Sequence, residues 1–120
     1  MANRKQLIKN STNKNLFTFR RYKKIEGGKI KKAKHPKLIV DETSADYGFM
    51  GLTESPKRGH HKNIELSKNP QKGNTSKSYI RTELRYDNKN NFSEILKNYN
   101  LSKQDKEAIL KFIERRKKKK

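Results

Sequence analysis

Apolar residues are sparse in this chain but fall into short runs separated by long polar stretches, and the spacing inside each run predicts an element. The first run, LFTFRRYKKI, puts Phe17 and Phe19 on one face and Leu16, Thr18, Arg20 and Tyr22 on the other, the period of a β-strand. It ends at EGG. Gly27 and Gly28 supply the positive φ of a tight turn, which predicts a hairpin with the next apolar run, PKLIV, across the lysine-rich KIKKAKH. The acidic DETSAD leads into YGFMGLT, where Gly48 and Gly51 weaken a strand unless the backbone bulges or another group comes close. NIELS sets Ile64 and Leu66 against Glu65. SYIRTELRYD sets Ile80, Thr82, Leu84 and Tyr86 against Tyr79, Arg81, Glu83 and Arg85, so both read as half-buried strands.

After DNKNN the period changes. FSEILKNY places Phe92, Ile95, Leu96 and Tyr99 on one helical face. The next stretch, LSKQDKEAILKFIERR, opens with Ser102 as an N-cap and Asp105 three residues on, close to a capping box, and offers Ala108, Ile109, Phe112 and Ile113 for burial. Short strands followed by helices predict an α+β fold that is mainly β: a small antiparallel sheet or partly open barrel closed by C-terminal helices. Residues 1–15 read as a flexible basic arm, 16–116 as one domain and 117–120 as a basic tail.

Composition sharpens this picture. Only 29% of the 120 residues are apolar, so a core exists only because those residues are clustered. No apolar run approaches the roughly 18 residues of a membrane span, and the opening MANRKQLIKN lacks the apolar stretch of a secretory signal, which suggests a cytoplasmic protein. Cysteine is absent, so there is neither a disulfide framework nor a thiolate metal site. The net charge is +20. Residues 1–37 hold 13 of the cations against a single carboxylate, whereas residues 38–54 hold four carboxylates and no cation. A charge this large suits a polyanion, and nucleic acid is the usual one. A membrane surface is the poorer match, because the basic arm lacks a broad apolar face with aromatic anchors. Lysine outnumbers arginine 24 to 8, so an AT-rich coding bias also raises the charge.

The run LTESPKRGHHKN mixes groups that a plain loop or a plain basic patch does not need. Thr53 and Ser55 offer hydroxyls, Lys57, Arg58 and Lys62 offer fixed charge, and His60 or His61 can carry a proton near neutral pH, while Pro56 stiffens the turn between them. These are the groups that RNA cleavage by its own 2′-hydroxyl requires: a base, an acid for the leaving oxygen, and cations around the phosphate. Each has a plainer reading. The two histidines can be solvated surface residues on opposite faces of a strand, and Thr53 and Ser55 can simply end a strand and begin a turn. With only His35 as a third histidine, no metal site is expected, and no cofactor is called for. Tyr79, Arg81 and Arg85 share a strand face that is either an ion-pair ladder with Glu83 or an RNA platform, and Arg20 and Arg21 extend the basic surface.

The succession HPKLIV, YGFMGLTESPK, NIELS, SYIRTELRYD and NFSEILKNYNLSKQDKEAILKFI resembles the MazF/PemK-type toxin endoribonucleases, and LTESPKR is similar to the Thr-Ser-Pro-Lys stretch of the ToxN/AbiQ branch. The likeness covers roughly residues 35–113, and none of its motifs is specific alone. It implies an SH3-like barrel with terminal helices, metal-independent cleavage of single-stranded RNA leaving a cyclic phosphate, frequent homodimers, and control by a protein or RNA antitoxin. Thr53 and Lys57 match the family's positions, and Ser55 matches with Glu54 as an extra residue. His35 stands before Pro36 where many members carry arginine, and the usual Gly-Asp opening of the first strand is replaced by NLFTFRRYKK. Those departures leave two rivals to the ribonuclease: a non-catalytic RNA- or ribosome-binding protein, and a phage-encoded inhibitor of a host nucleic-acid machine.

Overall fold

A computed structural model describes residues 13–118. The strands are β1 (Thr18–Glu26), β2 (Lys29–Lys32), β3 (Lys37–Glu42), β4 (Asp46–Thr53), β5 (Lys57–Arg58), β6 (His61–Lys62), β7 (Ile64–Glu65), β8 (Tyr79–Ile80), β9 (Arg85–Asn88) and β10 (Phe92–Ile95), followed by one helix, α1 (Lys103–Lys118). The main sheet is antiparallel in the order β10-β1-β3-β4-β8-β7, with β2 also beside β1 and β9 also beside β4; β5 and β6 form a separate ribbon. The fold is therefore α+β and mainly β, and among the described residues the sheet does not close into a barrel.

Central strands β3 and β4 are covered on both faces, since Leu38, Ile39 and Val40 are buried in succession and so is every residue from Tyr47 to Thr53. Phe19, Leu38, Ile39, Met50, Ile80 and Ile109 are the largest side chains wholly removed from solvent and belong to a single cluster. Helix α1 contributes Ile109 and Ile113 to that core, with Phe112 half-buried and Ala108, expected inside, exposed. Ser102 caps the helix by accepting the Asp105 N–H at 3.2 Å. The Asp105 carboxylate turns away from the cap and accepts the amides of Ser67 and Lys68 at 2.8 and 3.4 Å, which pins the loop after β7 to the helix.

Three expected elements differ. Across Gly27 and Gly28, both at positive φ, the hairpin partner of β1 is the lysine-rich Lys29–Lys32 itself, while PKLIV, as β3, pairs with the earlier residues Thr18, Phe19 and Arg20. SYIRTELRYD is not one strand. Leu52 faces Ile80 and Phe49 faces Arg85, so residues 81–84 loop out opposite only Met50 and Gly51, and Leu84 and Tyr86 end up exposed. FSEILKNY forms β10 instead of a helix, because Phe92 gains ring contacts with Tyr22, Tyr47 and Phe49 at centroid distances of 5.1–5.4 Å and its backbone pairs with β1. Among the described residues one C-terminal helix, α1, therefore packs on the sheet where two were expected. Of the predicted arm, residues 1–12 lie outside the described residues, whereas Asn13 and Asn15 donate to the Glu42 carboxylate and Leu16 and Phe17 are buried. At the other end α1 continues into the predicted tail, whose last two residues lie outside the described residues.

Candidate nucleic-acid interface

Gly51 is where the site begins. Lys37 opens β3 directly opposite it, and the Arg81 N–H donates to the Gly51 carbonyl at 2.8 Å, at the point where the chain between β8 and β9 loops out. With no side chain at 51, both long cations cross the strand there: a Cβ would stand 3.3 Å from Lys37 Nζ and 3.4 Å from Arg81 Cδ. Arg85 enters from β9, and Ser55, Lys57 and Arg58 enter from the turn after β4 and from β5. That turn is held by three bonds: Thr53 Oγ1 accepts the Ser55 N–H at 3.1 Å, Asn63 Nδ2 donates to the Ser55 carbonyl at 2.9 Å, and the Asn63 N–H donates to the Pro56 carbonyl at 2.9 Å. Gly59, at φ 60°, then lets β5 fold back on β6.

The result is a cavity of about 400 Å³ lined by Lys37, Lys57, Arg58, Arg81 and Arg85, with Ser55 at its wall and Glu83 as the single carboxylate among its lining residues. Glu83 pairs with Arg58 at 3.8 Å between two exposed side chains, so it offsets little of the charge. Lys37 differs from the other cations. It is half-buried, with its ammonium 5.9 Å from the ring centroids of both Tyr22 and Phe49. Burial, followed by the charges of Arg81 and Arg85, pulls its pKa below the usual lysine range. The charged form of Lys37 is thereby disfavoured relative to that of an exposed lysine. Behind Lys37, the Tyr22 hydroxyl donates to Asp87, and burial together with that bond pushes the phenol up to about 12. Asp87 stays ionised despite its desolvation, because hydrogen bonds from Tyr22 and the Asn88 amide outweigh it.

A second cavity, about 310 Å³, shares Arg58, Arg81 and Glu83 with the first and adds His61 and Arg116. Arg116 is fixed at its edge by donating to the Thr82 carbonyl at 3.1 Å. The shared Arg58 and Arg81 thus join the two cavities into a cationic track from Lys37 to Arg116 on α1.

The predicted site residues divide. Ser55, Lys57, Arg58, Arg81 and Arg85 come together, and His61 joins them next door. Thr53 does not: it is 4% exposed, and its hydroxyl is occupied as the acceptor that shapes the turn. His60 is exposed at the tip of the β5–β6 ribbon and Lys62 is exposed across from Lys57, both outside these linings. His35 is half-buried just before Pro36, and it too is absent from the linings. Of the expected meeting of residues 53, 55 and 57 with an imidazole, the cavity keeps Ser55 and Lys57 and sets them beside Lys37 and three arginines. Tyr79 faces Thr53 and Glu65 within the sheet and lines neither cavity. Arg20 is a structural clamp, donating to the Ser93 carbonyl at 2.7 Å and Asn15 Oδ1 at 2.9 Å and lying 4.9 Å over Tyr47. Arg21 is exposed on β1, away from both linings.

Lys37 is the residue that sequence reasoning missed. One lysine among 24 carries no signal of its own. The usable hint lay across the sheet, in a strand glycine that needed a close neighbour. No family model, curated protein or solved structure matches the chain.

Proposed function

We propose that this chain is an endoribonuclease that cleaves single-stranded RNA by activating the RNA's own 2′-hydroxyl, and that it works without a metal ion in a toxin–antitoxin-like system. One observation carries the reading: a half-buried lysine with a lowered pKa stands in a cavity whose other lining residues include four cations, a serine and a single carboxylate, Glu83. A phosphodiester link seated there meets the arginines at its non-bridging oxygens and the Ser55 hydroxyl as a further donor. Lys37, as the neutral amine, takes the 2′-hydroxyl proton while O2′ attacks phosphorus; the bond from phosphorus to O5′ breaks, and the Lys57 ammonium returns a proton to the departing oxygen. The products are a 2′,3′-cyclic phosphate and a 5′-hydroxyl end. The reading also includes the family's SH3-like architecture, in a form left open between β10 and β7. It includes as well an antitoxin, RNA or acidic protein, that neutralises the pocket, and action on cytoplasmic RNA.

Purified protein is expected to cut an unstructured RNA in excess EDTA. Lys37→Met, which keeps the buried stem, and Ser55→Ala should each lower the cleavage rate by at least about a hundredfold while RNA affinity changes only a few-fold. Intact RNA at high protein concentration contradicts the proposal. Non-catalytic RNA binding is the second reading, and one observation favours it: the cavity holding Ser55 and Lys57 includes no histidine among its lining residues. Tight, salt-sensitive binding with no cleavage in wild-type protein would select it.

A further inference from the structure

Strand β1 continues past its sheet. Its pairing with β3 ends at Arg20 and with β10 at Tyr22, so Lys23–Glu26 is paired only with β2, in a two-stranded ribbon roughly 13 Å long. Five of the ribbon's eight strand residues are lysines and one is a glutamate, Glu26, which Lys31 holds at 2.6 Å. Near its turn Ile25 and Ile30 face each other directly, 69% and 59% exposed, the two most exposed large apolar side chains among the described residues. Neither belongs to the core. Strand alternation places Lys23 and Lys32 on the same face as this pair, one step nearer the sheet.

At the root of the ribbon Arg21, Lys23 and Lys32 line a further cavity of about 540 Å³ together with Asn90, Asn91 and Phe92. Tyr22 borders it too, and the Tyr22 ring lies 5.9 Å from the Nζ of Lys37, a lining residue of the cationic pocket. An apolar pair framed by cations, with amides and an aromatic ring at its base, matches a ligand that alternates phosphates with flat apolar faces. Nucleic-acid strands have that pattern.

We infer that the β1–β2 hairpin is a second RNA-binding arm, in which Lys23 and Lys32 hold backbone phosphates and the Ile25–Ile30 pair packs on bases of the segment flanking the link in the cationic pocket. The choice of RNA as ligand rests on the function proposed above. The arm supplies affinity and register for long RNA and takes no part in bond cleavage.

The test uses the full chain with Ile25→Ser/Ile30→Ser and, separately, Lys23→Gln/Lys32→Gln, all at exposed positions, with melting temperatures to check that the fold is kept. Fluorescence anisotropy at several salt concentrations compares non-cleavable 2′-O-methyl RNAs of about 24 and about four nucleotides. Each double variant is expected to bind the long RNA about tenfold more weakly and the short one like wild type, and the lysine variant should lower the salt slope by between about 1 and 2. Unchanged affinity for the long RNA overturns the inference, and so does an equal loss on both RNAs. So does binding to vesicles containing phosphatidylserine that requires the isoleucines while RNA binding does not. Cleavage is read separately. An arm-dependent affinity without RNA cutting defeats the proposed chemistry and leaves the arm standing; cutting without arm dependence does the reverse.

Discussion

Two glycines in β4 look alike in sequence and serve different ends. At Gly48 an added Cβ would fall 2.7 Å from the Tyr86 ring and 2.9 Å from the Asp41 Cβ, so that position allows packing between β3 and β9, beside the bond that Tyr86 donates to Asp41. At Gly51 the groups in the way are the far ends of Lys37 and Arg81, which can move. Gly51 has no positive φ, so a β-branched residue fits the strand backbone. Gly51→Val is therefore expected to fold with a melting temperature within a few degrees of wild type, while displacing both cations and weakening RNA binding by about tenfold or more. Calorimetry and a binding titration on the same preparation check this, and unaltered RNA affinity would mean that Lys37 and Arg81 do not hold RNA. The sequence suggested that something approached these glycines, but not which residue, because the partner lies on another strand and lysine is common everywhere in the chain.

At the scale of elements, what could be read from the sequence was local period, and what could not was competition for partners. The alternation of NIELS survives around β7, with Ile64 and Leu66 more buried than Glu65, whereas β1 begins only at Thr18, because Phe17 turns at φ 61° and is buried beside Leu16. SYIRTELRYD alternates equally well, yet it serves two halves of β4 and breaks where Arg81 reaches Gly51. FSEILKNY satisfies a helical period, but the aromatic cluster around Phe92 and an open edge on β1 offer it more as a strand. Helix α1 was legible at its cap and along its apolar face, while the task of Asp105 was not: its carboxylate, 3% exposed, holds the backbone of Ser67 and Lys68. Asp105→Ala strips those amides of their acceptor, a loss of about 1–3 kcal/mol. Thermal unfolding should show it as a midpoint lower by roughly 5–15 °C. RNA cleavage by the remaining folded protein should be unchanged, because Asp105 lies outside the pocket lining; an unshifted midpoint would show that the loop is held by other means.

For the whole molecule, the uneven charge of the chain is explained by where the fold gathers it. The carboxylates of residues 38–54 are partly spent inside the structure: Glu42 accepts from Asn13, Asn15 and Lys89, and Asp41 accepts from Tyr86. The lysines at 23, 29, 31 and 32 in the hairpin are exposed, and a second group of cations runs from Lys37 to Arg116 through the two cavities that share Arg58 and Arg81. No helix among the described residues is long and apolar enough to cross a membrane. In the proposed chemistry Lys37 is the base, and the direction of its shift sets the sign of the pH dependence. Burial and the neighbouring arginines favour its neutral form, so the base becomes available below the ordinary lysine value of about 10.4. The most direct measurement is the single-turnover rate of RNA cleavage in EDTA as a function of pH, for wild type and for Lys37→Arg, which keeps a cation but has no neutral form in this range. The proposed chemistry predicts a wild-type rate that climbs with pH and levels off at a lower pH than the titration of an exposed lysine would give, and a Lys37→Arg rate that is low throughout with RNA still bound. A profile that is the same in both proteins, or no cleavage at any pH, would contradict it.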